Sequence, residues 1–445
     1  RGAAPAAHER QAGGHRVGIG LKTYHDALDF LFARTTGIWK LGLERVEAFL
    51  HSLGDPHRAL HVLHVAGTNG KGSVCAMLEA VLRAKGLRVA KYTSPHLVDF
   101  RERFLIDGEP VDPERIVAFV ERWTPEVERL HATFFEATTA MAFQFFAEAA
   151  VDVAIIETGL GGRLDATNVL TPLVAAVTNI GIDHVEYLGA TREEIAYEKA
   201  GIFKYGVPAI IGDPDPAIRA LLARHAREHG AAPVRVVYDE DGPRDVKIGA
   251  DGTSFALPGL GVAAALATPL LGAHQAANAA VAAAALDALP PSFAPTGDEL
   301  RRGLAHVRLP GRFQRWGKYL FDVAHNPDGA AVVATTLASI RPPRPLVAVL
   351  SVLGDKDWRA IMDVLGPVVD EYVLTIAPTA PASRTWSLPV ALAHARAKGW
   401  NAEVVRDFDR ALARAAEQGA SVLVTGSFHT VGDAMARLEV SPTPA

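Results

Sequence analysis

The sequence predicts an α/β protein built from an N-terminal P-loop ATPase-type domain with a mostly parallel sheet, followed by a smaller Rossmann-like α/β domain. Three observations predict it. The stretch His64-Val65-Ala66-Gly67-Thr68-Asn69-Gly70-Lys71-Gly72-Ser73 joins an apolar run, Leu60 to Ala66, to a helical segment, Val74 to Lys85. Apolar runs at 151–157, 174–178 and 207–211 alternate with helical segments, the pattern of parallel strands buried on both faces. The alternation resumes after Leu309-Pro310-Gly311-Arg312, and a chain of 445 residues exceeds one ordinary core.

Strand, glycine loop, Lys, Ser and helix in that order form the layout of a phosphate-binding loop. Glycine lets backbone N–H groups turn toward an anion, and the helix N-terminus adds its positive end. Lys71 is placed to reach the β/γ-phosphates, and Ser73 a phosphate or Mg²⁺. The match to G-x-x-x-x-G-K-[ST] is imperfect, because Val65 stands where the first Gly belongs and Gly72 separates Lys71 from Ser73. The plain alternative is a glycine turn. The flanking strand and helix that the motif requires favour the phosphate loop.

In chain order, residues 1–16 lack periodicity and read as a tail, and helices are expected at Tyr24–Phe32 and Ile38–Leu53. A strand at Val89–Tyr92 runs into Thr93-Ser94-Pro95-His96, where the Ser-Pro step favours extended backbone. A hairpin at Ile106–Pro110 and helices at 112–127 and 135–148 follow. Pro208 lies at the start of the 207–211 strand, where a missing N–H is tolerated. Residues 231–272 hold short β-prone pieces and read as an antiparallel flap. The Ala-rich helix 273–289 carries His274, Gln275 and Asn278, and a helix at 298–306 leads to the domain boundary. Beyond it, strands at 319–323, 346–351, 371–376 and 421–425 alternate with helices from 329 and at 358–365, 390–397 and 407–418. The expected division is a tail at 1–16, an ATP-binding domain at 17–308, a second domain at 309–438 and a tail at 439–445. The second domain lacks G-x-G-x-x-G, so nicotinamide binding is not indicated.

Composition narrows the function classes. A net charge of −5 with mixed signs gives no basic stripe for nucleic acid. No run of 18 apolar residues predicts a membrane span, and no apolar h-region predicts secretion, so a cytoplasmic protein is expected. The single cysteine, Cys75, excludes an intrachain disulfide and reads as a small core residue.

Ser94, Glu157 and His184 each follow a predicted strand, where open parallel sheets place their ligands. Singly they read as a turn residue, a strand-end acid and a half-buried histidine. Together, beside a phosphate loop, two oxygen donors and an imidazole suit Mg²⁺ held against nucleotide phosphates.

Gly67-Thr68-Asn69-Gly70-Lys71-Gly72-Ser73 resembles the ATP loop of the Mur ligase superfamily. With His64 and Val65 before it, it resembles that of folylpolyglutamate and dihydrofolate synthases. The resemblance runs in order from about Leu41 to Thr430. Ser94-Pro95-His96-Leu97 resembles the family's S-P-H-L loop, whose Ser binds a first Mg²⁺. The segment Glu157 to Asn168, with Arg163 and Asp165, resembles E-x-G-L-G-G-R-x-D-A-T-N, whose Glu bridges two ions. Asp183-His184 matches D-H, whose His binds the second. Glu198-Lys199-Ala200-Gly201-Ile202-Phe203 resembles E-K-A-G-I-F, which implies a carbamylated Lys199; without the resemblance it reads as a solvated helix lysine. For ATP the resemblance implies Asn278, Arg312 in Pro-Gly-Arg312-Phe-Gln314, and Asp322. For the incoming glutamate it implies His325 and Ser427. For the pterin it implies Leu41, Gly42 and Arg45, then Thr133, Phe134 and Phe135 with an aromatic for stacking, and Asp165 at the ring edge. Thr93, where Ser is commoner, and Asp328-Gly329 after His-Asn-Pro are small departures.

The activity so implied is an ATP-dependent carboxylate–amine ligation through an acyl phosphate. It adds L-glutamate to dihydropteroate, to a reduced folate, or to both, with ATP and two Mg²⁺ ions and no nucleic-acid or membrane partner. The family is usually monomeric. The alternatives are a monofunctional folylpolyglutamate synthase, another Mur-type ligase, a P-loop NTPase switch or a folate-binding module. Cell-wall Mur ligases usually carry a UDP-binding domain before the ATP loop, and about seventy residues precede Lys71 here.

Overall fold

The computed structural model describes residues 23–35, 42–240 and 242–440. Strand β1 (Val62–Ala66) lies inside an eight-stranded sheet with β2 (Val89–Tyr92), β3 (Phe104–Ile106), β4 (Glu109–Pro110), β5 (Val153–Glu157), β6 (Val174–Val177), β7 (Ala209–Ile211) and β8 (Val234–Val236). The order is β4-β3-β2-β5-β1-β6-β7-β8. The run from β2 to β8 is parallel, and the β3–β4 hairpin closes one edge antiparallel.

The apolar runs are continuous because both faces are covered. Leu63, Val65, Val153, Ile155, Val174 and Ala176 enter one core, while Val62, Ala90, Tyr92, Ala154 and Ile156 enter the other. This is the two-residue alternation of a strand with apolar side chains on both sides. Helices α1 (Tyr24–Phe32), α2 (Glu44–Ser52), α3 (Lys71–Ala84), α4 (Pro113–Arg129) and α5 (Phe134–Glu148) come first. Then follow α6 (Val185–Leu188), α7 (Arg192–Ala200), α8 (Pro216–Glu228), α9 (Val237–Glu240), α10 (Ala273–Asp287) and α11 (Gly297–Ala305). The Ala-rich α10 is buried along most of its length, and small side chains let it lie close to α3. Cys75 is buried in the same core.

Three boundaries differ from expectation. Helix α3 begins at Lys71, so Lys71, Gly72 and Ser73 form its first turn. The helix expected at 38–53 is α2, from Glu44 to Ser52; residues 36–41, including Leu41, lie outside the described residues. Only part of 231–272 is an antiparallel flap: β9 (Arg244–Ile248), β10 (Thr253–Leu257) and β11 (Val262–Thr268) form it. Val234–Val236 instead pairs with β7 in parallel, Ala209 opposite Val234, because α8 carries the chain back along the sheet and completes a β–α–β unit.

The second sheet has the order β12-β13-β17-β14-β15-β16, from β12 (Gln314–Trp316), β13 (Tyr319–Asp322), β14 (Leu346–Leu350), β15 (Glu371–Leu374), β16 (Asn401–Val404) and β17 (Ser421–Thr425). Only β12 is antiparallel to its neighbour. Strands β12 and β16 are the edges and are partly exposed, so they lack the apolar run that marks the inner strands. Helices α12 (Pro327–Ile340), α13 (Trp358–Leu365), α14 (Leu388–Ala397), α15 (Phe408–Gln418) and α16 (Phe428–Arg437) cover this sheet. Segments following β1 and β6 meet segments following β13 and β14, so the carboxyl edges of the two sheets face one another.

Candidate active site

The phosphate loop is shaped by two glycines. Gly67 has φ +151° and Gly70 φ +85°, values that L side chains rarely adopt. A Cβ on Gly67 would overlap the Thr178 hydroxyl, and one on Gly70 would press on the Asn278 side-chain oxygen. The segment after β6 pins the loop from behind. Asn179 accepts from the N–H of Thr68 through its carbonyl (2.9 Å) and from that of Asn69 through its side chain (2.8 Å). The Thr178 hydroxyl donates to the Asn69 carbonyl at 2.6 Å. Gly70 offers α3 no side-chain cap, which leaves the N-terminus of the helix suited to receive an anion. Lys71 donates to the carbonyls of Gly67 (3.0 Å) and Thr68 (3.2 Å) and stands 3.9 Å from Glu157. Ser73 is buried on the same turn.

Glu157 ends β5 and is buried. Burial pushes its carboxyl upward, against the pull of Lys71, the Ser94 N–H, Arg312 and Lys91. The Ser94 N–H donates to it at 3.2 Å. A buried carboxylate beside a Ser loop, with one lysine near an oxygen, fits a hard divalent cation that shares oxygens with a nucleotide. His184 has φ +52° and follows Asp183, whose carboxylate lies 3.9 Å from its ring. Burial, then the charge of Lys356, lowers His184 to about 4, so its imidazole is neutral and able to ligate. Among the described residues no three His, Cys, Asp or Glu side chains cluster as a metal centre on their own. The structure brings Ser94 to Glu157 through their hydrogen bond, whereas His184 is tied to Asp183.

Lys199, in the last turn of α7, is buried and donates to the Gly67 carbonyl at 3.0 Å. Burial, then repulsion from Lys71, lowers it to about 7. It is no solvated helix lysine: it touches the same loop carbonyl as Lys71.

From the second domain, the half-buried Arg312 lies over the Phe428 ring at 5.0 Å, and its guanidinium comes within 3.8 Å of where a Cβ on Gly72 would stand. Asp322 ends β13 and accepts the N–H groups of Phe313 and Ala324, each at 2.9 Å; burial raises it to about 6. His325 lies 3.4 Å from Asp183, and Asn326 donates to Asn69 at 3.1 Å. Ser427 caps α16, accepting from the Thr430 N–H at 3.1 Å. Asn278 donates to Gln275 at 3.0 Å beside Gly70.

The pterin candidates form a neighbouring cluster. Phe134 stacks on Phe32, with centroids 5.3 Å apart, and the Arg103 guanidinium lies 5.2 Å from its ring. The Phe135 ring packs against Gly159, two residues past Glu157. Thr133 caps α5 in a capping box with Glu136, and Glu136 pairs with Arg45 at 2.9 Å. Gly42 has φ +131° before α2. Asp165 accepts from the N–H groups of Gly159 (2.9 Å), Leu160 (2.7 Å) and Thr167 (3.0 Å), so it shapes the Gly-rich turn after Glu157.

Sequence reasoning named Asp183 only as part of a motif, without a role, and passed over Lys356. Asp183 is a hub that receives Lys356, His325 and Asn326 from the second sheet. Burial alone would raise it, but the His325 contact and the His184 and Lys356 charges outweigh that and hold it below the usual carboxylate range. Lys356 sits in the polar loop Gly354-Asp355-Lys356-Asp357, and its position after an apolar strand was the available signal.

Residues 65–286 match the Mur ligase middle domain and residues 311–428 the Mur ligase glutamate ligase domain. The dihydrofolate synthase/folylpolyglutamate synthase of Mycobacterium tuberculosis is 41% identical over 362 residues, covering 75% of this chain and 74% of that protein. The Escherichia coli FolC structure in complex with DHPP and ADP aligns with a TM-score of 0.80 at 34% identity, over 94% of this chain and 98% of that one. A bifunctional folylpolyglutamate synthase/dihydrofolate synthase with Mn, AMPPNP and L-glutamate bound aligns with a TM-score of 0.77 at 34% identity, over 94% and 98%. With this overlap in sequence and fold, the chain belongs to the folylpolyglutamate synthase/dihydrofolate synthase family of the Mur ligases.

Proposed function

We propose that the protein joins the α-amine of L-glutamate to a folate-type carboxylate by way of an acyl phosphate, and that both dihydropteroate and a reduced folate serve as acceptors. The observation that carries this reading is the meeting of two carboxyl edges. Lys71, Glu157 and Lys199 come from one sheet, and Arg312, His325 and Lys356 approach from the other.

The acceptor carboxylate oxygen attacks the γ-phosphorus of ATP and ADP leaves. The glutamate amine then attacks the acyl carbon, phosphate departs, and the nitrogen loses a proton. Lys71 and the α3 N–H groups hold the β- and γ-phosphates. Arg312, delivered from the second domain, faces charge developing on the phosphoryl group. Ser94, Glu157 and His184 would hold divalent ions, which supply charge neutralisation on the phosphate oxygens. We assign Asn278 and Asp322 to nucleotide positioning and His325 and Ser427 to the glutamate side. Closure of the cleft keeps water from the acyl phosphate. We place the domain boundary at Leu309–Arg312. One chain supplies both sides of the cleft, so the working unit is a monomer, which sedimentation at micromolar concentration checks.

The test is ADP release with Mg²⁺-ATP and L-glutamate, comparing dihydropteroate, a reduced folate monoglutamate and no acceptor. Release with both acceptors is expected. Release with the folate alone removes the dihydropteroate assignment, and equal release without acceptor leaves an NTPase.

We assign Phe134 to the flat ring of the acceptor. Phe134→Ala is expected to raise KM for dihydropteroate about tenfold, the order of one lost aromatic stack with its buried area. KM for L-glutamate should stay unchanged. Steady-state kinetics on both substrates checks this, and parallel rises in both would mean a packing defect instead.

A further inference from the structure

A cavity of about 670 Å³ leads away from Ser94, Glu157 and Arg312 toward solvent. Its floor is one face of α3: Gly72, Ala76, Ala80 and Ala84, spaced four apart, present no side chain longer than a methyl. Its inner wall carries Glu79 and Lys91, both buried and paired with one another. The second carboxylate oxygen of Glu79 is buried without a hydrogen-bond partner. Its rim carries Arg83, Arg302 and Arg308, all exposed, with Glu109 the exposed acid among them.

The chemistry of this lining is specific. An unpartnered buried carboxylate oxygen calls for an N–H donor. Exposed guanidinium groups around a mouth attract carboxylates. A smooth floor admits an extended chain. A ligand that offers amide N–H groups and repeated carboxylates matches all three.

We propose that this cavity seats the γ-glutamyl tail of acceptors that already carry several glutamates. The proposal rests on the ligase reading above. A product that re-enters as acceptor is longer by one residue each time, so its reacting end and its flat ring cannot both keep fixed places. A route outward from Glu157 resolves this. The terminal carboxylate lies at the Ser94–Glu157 end, Glu79 accepts an amide N–H, and Arg302 and Arg308 pair with tail carboxylates at the rim.

The test compares the unmodified enzyme with Arg302→Glu/Arg308→Glu and with Arg302→Lys/Arg308→Lys, using folate monoglutamate, folate triglutamate and L-glutamate as varied substrates. The acidic pair is expected to raise KM for the triglutamate about tenfold while changing the other two by less than about twofold. The lysine pair should keep most of the triglutamate affinity, since the charge is retained. A KM rise for L-glutamate would show that the cavity admits the amino acid instead, and a triglutamate KM left unchanged by the acidic pair would show that the rim touches no tail. Either result overturns the proposal. If the unmodified enzyme joins glutamate to neither acceptor, the ligase reading itself fails, a separate outcome.

Discussion

Lys71→Ala lowers kcat by about three orders of magnitude at saturating substrates, the cost of removing one preorganised charge from a phosphoryl-transfer site. The physical reason is position. Lys71 lies on the first turn of α3, its ammonium bonded to loop carbonyls 3.0 and 3.2 Å away and 3.9 Å from Glu157. On the proposed ligase mechanism that is where the γ-phosphate charge develops, and the ammonium has little freedom to lose. The lost bonds are local, so the melting temperature should change little. Glutamate incorporation measured beside thermal unfolding checks both halves. A kcat within about tenfold of the unmodified enzyme would remove Lys71 from the chemistry.

Lys199→Met is expected to lower activity about a hundredfold, as changes in the shell supporting a metal site do. Lys199 stands at about 7 because burial and Lys71 oppose its charge. Near neutral pH a fraction is therefore free amine. We propose that this amine takes up CO₂: an N–C bond forms, one proton leaves to solvent, and the resulting carbamate presents oxygens beside the loop. Activity should then fall in CO₂-depleted buffer, return on adding bicarbonate, and rise with pH through about 7. A bicarbonate response that is flat, with no labelled carbamate signal after ¹³CO₂ exposure, would falsify the carbamate. The same lysine sets a stability trend. Its folded pKa lies below its ordinary value of 10.5, so between about 7 and 10.5 the unfolded chain binds the extra proton and stability rises with pH. That rise should be missing in Lys199→Met, as urea unfolding at several pH values would show.

The phosphate loop was legible in the sequence because it is local. Gly67 and Gly70 occupy backbone angles that L side chains avoid, and the strand and helix they join are contiguous. The parallel sheet was legible because doubly buried strands must be apolar throughout. Edge strands β12 and β16 were not, since half-exposed strands carry no such run. Strand β8 read as part of a flap because Val234–Val236 looks the same in sequence whether its partner is parallel or antiparallel.

By itself, then, the sequence determined the local chemistry: the glycine loop, the apolar strands, and the motifs that place Ser94, Glu157, His184 and Lys199 in their stretches. Only the tertiary structure decided which charges meet. Lys356 and Asp183 are 173 residues apart, Asn69 and Asn326 are 257 apart, and their contacts exist because two sheets turn their carboxyl edges toward each other. The lowered pKa of Lys199 likewise belongs to its burial and not to its residue type. Backbone preference acts over a few residues, whereas charge pairing and desolvation depend on what the rest of the chain brings alongside.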